Sequence, residues 1–84
     1  MKLIEQSKLF FKEANSDKVY EIDLCEVGTD LYVVNFRFGK RGANLKDGTK
    51  TPAPIGRIKA KALFTALEAE KRKKGYQSET EMFQ

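Results

Sequence analysis

Histidine and tryptophan are absent from this chain, cysteine occurs once and proline twice. Each scarcity closes a class of chemistry. Without histidine there is no imidazole metal ligand, no Ser-His or Cys-His nucleophile pair, and no side chain that ordinarily titrates near pH 7. The single thiol, Cys25, permits neither an intrachain disulfide nor a four-thiolate metal site. Met1 is followed at once by Lys2-Leu3-Ile4-Glu5, and no apolar run is long enough for a signal peptide or a membrane span. The expectation is a reducing, cytoplasmic setting without a membrane partner. Eighty-four residues suit one domain, and a chain of this size buries only about 60% of its unfolded surface.

Present in quantity are hydrophobic residues, 40% of the chain, and charged ones, 33%, with a formal net charge of +4. That is a folding composition, and its charge is unevenly placed. Residues 1–36 balance at −3 and residues 62–84 at zero. Residues 37–61 hold Arg37, Lys40, Arg41, Lys46, Lys50, Arg57, Lys59 and Lys61 against Asp47 alone, a balance of +7. Positive charge concentrated in one stretch is the footprint a polyanion needs, although a solvated basic loop reads the same way.

Along the chain, Lys8–Lys12 suits a first short strand and Ala14–Lys18 a turn. Val19–Glu26 alternates, with Tyr20, Ile22 and Leu24 on one side and Glu21 and Asp23 on the other, as a half-buried strand does. Cys25 falls on the polar parity and is read as structural. After a turn at Val27-Gly28-Thr29-Asp30, Leu31–Phe38 begins apolar on both parities, which predicts a strand inside the sheet with at least partial cover on both faces. These two strands form a hairpin. Asp47-Gly48 signals another turn, and Thr49–Pro54 a brief strand kept to an edge by Pro52 and Pro54.

From Arg57 the period changes. Ile58, Ala60, Leu63, Phe64 and Leu67 recur at helical spacing, predicting a helix from Arg57 to about Lys74 with Leu63, Phe64 and Leu67 buried against Tyr32, Val34 or Phe36. Lys71–Lys74 complement the negative end of the helix dipole, and Gly75-Tyr76 suits a Schellman ending. Residues 1–76 are then the domain and 77–84 a flexible tail or linker. Strands followed by one helix predict a monomeric α+β fold, a mostly antiparallel sheet with a C-terminal helix across it.

Candidate chemistry is sparse. Glu21, Asp23 and Glu26 alternate as solvent-facing carboxylates do, Asp47-Gly48 lacks the spaced oxygen ligands of a calcium loop, and Gly39–Gly42 lacks the Lys-Ser/Thr ending of a phosphate-binding loop. A non-catalytic protein without cofactor or metal is expected.

The informative run is Asn35-Phe36-Arg37-Phe38-Gly39-Lys40-Arg41-Gly42. It resembles the signature of the WGR domain, a Trp-Gly-Arg run at a strand end followed shortly by another Gly. Phe38 stands at the Trp position and Lys40 at the Arg position, while Gly39 and Gly42 match. Tyr20-Glu21-Ile22 resembles the family's early strand, Thr51-Pro52 recurs before the helix in bacterial members, and Ala62, Phe64, Lys71, Gly75 and Tyr76 follow the family's helix pattern. WGR domains occur in poly(ADP-ribose) polymerases and in bacterial proteins similar to a molybdate-metabolism regulator. The resemblance implies a module that contacts DNA near a strand break, the Trp packing on sugar and the Arg reaching backbone, roles that fall on Phe38 and Lys40. Phe offers a smaller face without an indole donor, and Lys a point charge instead of a bidentate fork.

Two readings follow. In the first the domain binds nucleic acid, chiefly DNA, on its phosphates and without sequence specificity, through Arg37, Phe38, Gly39, Lys40, Arg41, Gly42, Arg57, Lys59 and Lys61. Lys59 and Lys61 sit where the helix dipole disfavours cations, which suggests an external anion. In the second the same surface docks an acidic protein or a neighbouring domain, with Phe38 as apolar anchor.

Overall fold

Four strands lie side by side in the order in which the chain makes them. In the computed structural model, which describes residues 1–82, β1 (Lys2–Glu13), β2 (Ser16–Gly28), β3 (Leu31–Lys40) and β4 (Lys46–Thr49) form one antiparallel sheet ordered β1-β2-β3-β4. Helix α1 (Arg57–Lys73) crosses one face, and a single turn, α2 (Glu79–Met82), follows. The predicted α+β architecture is therefore the observed one. The first two strands run well beyond the predicted segments because they pair with each other over nearly their whole length, from Lys2↔Glu26 to Glu13↔Ser16.

The core follows from parity. Tyr20, Ile22 and Leu24 of β2, with Tyr32 and Val34 of β3, face α1 and pack on Ala60, Phe64 and Leu67. Phe64 retains 2% of its surface, and burial of such a ring is worth about 1.5–3 kcal/mol. Two members of the predicted apolar stripe point elsewhere. Ile58 is 83% exposed and Leu63 37%. Ala60, Phe64 and Leu67 set the inner line, and a residue two before Ala60 is turned about 200° from it on a helix of 3.6 residues per turn. The partial cover predicted on both faces of β3 comes from α1 on one side and from neighbouring side chains of the sheet on the other, where Val33, Asn35 and Arg37 are half-buried. Opposite α1 the sheet carries a charge ladder in which Arg37 bridges Glu21 and Asp23, with Lys8 beside Glu21. Cys25, on that parity, is buried nonetheless, and burial pushes its thiol pKa up, with Asp23 adding to the effect.

Asp47-Gly48, predicted as a turn, lies inside β4. Gly48 lies opposite Phe36, and a Cβ there would sit 2.3 Å from Phe36 Cζ. The residue is glycine because an aromatic ring needs the space, a reason local turn chemistry does not reveal. Beyond β4, Thr51 replaces ladder pairing: its buried hydroxyl accepts the Val34 N–H at 3.1 Å. Gly48→Ala should cost about 1–3 kcal/mol by overpacking. The denaturant midpoint would report it, and an unchanged midpoint would mean that Phe36 swings aside freely.

Both helix ends are held by the rest of the chain. Gly56 offers no side-chain cap, and the Asp30 carboxylate accepts the Arg57 N–H at 3.1 Å instead. At the C-terminus Tyr76 N–H donates to the Lys71 carbonyl and Gly75 N–H to the Arg72 carbonyl, the two bonds of the predicted Schellman motif. Gly75 has φ 104°, where a side chain would be strained.

Residues 77–82, expected as tail, are tied down. Gln77 exchanges two backbone hydrogen bonds with Phe10, at 2.7 and 2.8 Å. Ser78 and Glu81 cap each other reciprocally, and Arg72 donates to Glu81. Residues 83–84 of that expected tail lie outside the described residues. The hydrogen bond from Arg72, with those from Ser78, pulls the Glu81 carboxyl down to about 2. Because the folded pKa is depressed, the latch contributes fully above the ordinary carboxylate range and is lost as pH falls towards about 2. The protection of the Gln77 amide, relative to its intrinsic exchange rate, should therefore fall on acidification below pH 4, and Glu81→Gln should flatten that profile. Identical profiles would remove the latch.

Candidate nucleic-acid interface

Beyond the last turn of α1 the sheet continues uncovered, and there its helix-facing parity turns from aliphatic to aromatic and basic. Phe38 lies opposite Tyr20 in register, stacked on it at 5.9 Å between centroids. Phe36 stacks on the same Tyr20 at 5.6 Å, and Tyr76, delivered by the Schellman turn, meets Tyr20 edge-on at 6.2 Å. Lys71 spans the group with its ammonium 4.6 Å from the Tyr20 ring centre, a cation–π contact. Burial, and secondarily Glu70, raises the Tyr20 phenol pKa, so the hydroxyl stays neutral under the lysine. Phe38, at the end of this stack, is 38% exposed.

Between Phe38 and Tyr76 opens a cleft of about 400 Å³, lined also by Asn15, Ser16, Lys18, Gly39, Lys40 and Asp17, whose carboxylate is taken up by Arg41. A second hollow on the other side of Tyr76 adds Phe11 and Lys74. The electrostatics are distinctive at one point. Lys18 and Lys40 are direct cross-strand partners, and both are exposed. Like charges in that relation destabilise a sheet. Among the described residues neither forms an ion pair, and nor does Lys74, whereas Lys71 has Glu70 at 3.7 Å. Gly39, with φ 154°, lets β3 bend past the Leu45 side chain, 3.3 Å from where a Cβ would be.

Folding separates the residues singled out in the sequence. Phe38, Gly39 and Lys40 line the cleft. Arg37 points to the opposite face, where its guanidinium lies 2.9 Å from Glu21 and 3.1 Å from Asp23, and the Glu21 hydrogen bond raises its pKa further. Arg41 is paired with Asp17 at 3.2 Å and rests over Phe10, and Gly42 sits in an exposed turn at φ 86°. Arg57 and Lys59 open α1 at its far end, about 25 Å away at 1.5 Å per residue, and Lys61 is paired with Glu5. The +7 segment is thus partly answered from within. β1 and β2 supply the carboxylates that meet Arg37, Arg41 and Lys61, so part of the charge segregation along the chain is complementarity between its own strands. Lys18, Lys74 and Tyr76 were missed as site residues. The signal that finds them is strand register, which sets Lys18 beside Lys40, together with the helix ending that turns Tyr76 back.

Among the described residues no group of three His, Cys, Asp or Glu side chains is placed to hold a metal ion, and no helix is long and apolar enough to cross a membrane.

A meandering antiparallel sheet crossed by one helix defines a small α+β domain. The family can be stated as well. The WGR domain model matches residues 4–83, essentially the whole chain, and the chain belongs to that family of non-catalytic modules. No curated protein and no solved structure matches it.

Proposed function

We propose that this WGR domain binds the phosphate backbone of nucleic acid, without reading base sequence, through the cleft at the end of β3. The observation that carries the reading is the Lys18–Lys40 pair. Two lysines set opposite each other against their mutual repulsion, neither in an internal ion pair because the nearby Asp17 is held by Arg41, are stabilised by an external polyanion. Phe38 and Tyr76 add ring surface for sugar or base, and Lys74 extends the positive rim along the helix end. Arg37 and Lys61 are already paired with carboxylates and serve the fold. Nothing in the cleft presents the bidentate geometry that discriminates base pairs.

Fluorescence anisotropy with labelled DNA over a salt series tests this. Three or four neutralised phosphates predict a slope of log affinity on log salt of about −3 to −4, and a dissociation constant of roughly 10⁻⁴–10⁻⁶ M at physiological salt. Binding that is undetectable at low salt, or undiminished at high salt, would leave the acidic-protein reading in its place.

A further inference from the structure

Resting on that reading, we infer that the ligand of the cleft is an unpaired nucleotide in a flexible single strand of DNA or RNA, rather than a duplex. Three observations point the same way. First, the cleft is concave and walled by rings. At about 400 Å³ it falls in the range, roughly 300–1,000 Å³, of pockets that enclose small molecules. A base inside a duplex is covered on both faces by its neighbours and reaches such a pocket only after it is extruded, at a cost in stacking and pairing. An unpaired base enters without that cost.

Second, ring and charge have the spacing of one nucleotide. Phe38 and Lys40 are two residues apart on the same side of β3, with Lys18 directly across from Lys40. A base lying on Phe38 leaves its own phosphate at the lysine pair.

Third, the helix is unsuited to a groove. Residues 62–70 of α1 contain no cation and two carboxylates, Glu68 and Glu70, and Ala62, Leu63, Thr65, Ala66 and Ala69 are exposed between the helix ends. A helix laid on a duplex presents cations and donors to phosphates and base edges. This one presents small apolar side chains and negative charge.

The test compares the intact domain, at low salt, on a short oligothymidylate, the matching oligouridylate, and a blunt hairpin duplex with the same number of phosphates. Charge density alone favours the duplex, so a preference for either single strand reports stacking. Both single strands should bind about 5- to 100-fold more tightly than the duplex, the value of one base–aromatic stack. Oligodeoxyuridylate, which differs from oligouridylate only in the sugar, tells which sugar is preferred. A single 2-aminopurine in the strand should change its fluorescence on binding. Phe38→Leu, at an exposed position, and Tyr76→Leu should each bring the ratio of single-strand to duplex affinity down to about one, and a melting curve checks that each variant is folded. Duplex affinity equal to or above that of both single strands overturns the inference and leaves backbone binding standing. No binding to any of the three overturns both.

Discussion

Truncation of Phe64 to alanine is expected to remove about 3–5 kcal/mol, the cost of emptying a fully packed aromatic site. The ring is 2% exposed and belongs to the cluster that joins α1 to Tyr20, Ile22, Leu24, Tyr32 and Val34. Small domains hold only about 5–15 kcal/mol in total. One kilocalorie shifts the melting temperature of a domain this size by roughly 4–8 °C, so the variant should melt on the order of 20 °C lower or fail to fold at room temperature. Circular dichroism on heating measures it. A melting temperature within a few degrees of the parent would mean that α1 is not docked as described. Exposed Ile58, by contrast, should tolerate alanine with little change, since surface substitutions usually stay within about 0.5 kcal/mol.

The second large effect is on binding. Replacing Lys18 and Lys40 together by glutamine should weaken nucleic-acid affinity at 50 mM salt by about 100-fold, each lost phosphate contact being worth roughly tenfold at that ionic strength for a slope near 0.9 per contact. The salt dependence should flatten by about one unit for each lysine. Stability should hold or improve, because a like-charge cross-strand pair is relieved. That opposite sign separates a binding role from a structural one. Arg37→Gln should behave the other way, lowering stability by leaving Glu21 and Asp23 without their shared partner while affinity changes little. A double lysine variant that binds as the parent does would place the interface elsewhere on the surface.

The legible parts of this molecule are those written in local pattern. Alternation in β2 and β3, the change of period before Ile58, and Gly75-Tyr76 after a run of cations each reflect interactions within a few residues, and each predicts what is found. What escaped depends on partners distant in sequence. Gly48 reads as a turn residue until Phe36 is seen opposite it. Ile58 fits the helical stripe until Ala60 and Phe64 are seen to set its inner line. Arg37 looks like a ligand contact until strand pairing brings Glu21 and Asp23 to it. The candidate site was legible by half. Phe38, Gly39 and Lys40 carry the motif and line the cleft, but Lys18 and Tyr76 reach it only through register and a helix ending. The helix start at Arg57 and Lys59, in the same basic segment as the motif, is carried to the other end of the fold by β4 and the residues after it, which run back along β3 as far as Tyr32.

The most direct measurement of the central claim is a nuclear magnetic resonance titration of the labelled domain with a short oligonucleotide at low salt, following every backbone amide. The account predicts saturable shifts at Lys18, Gly39, Lys40, Lys71, Gly75 and Tyr76, reversed by added salt, with the Arg57–Lys61 amides and the Arg37 face nearly unmoved. Shifts centred on Arg57 and Lys59, or the absence of shifts at Gly39 and Tyr76 under conditions where binding is saturated, would contradict it.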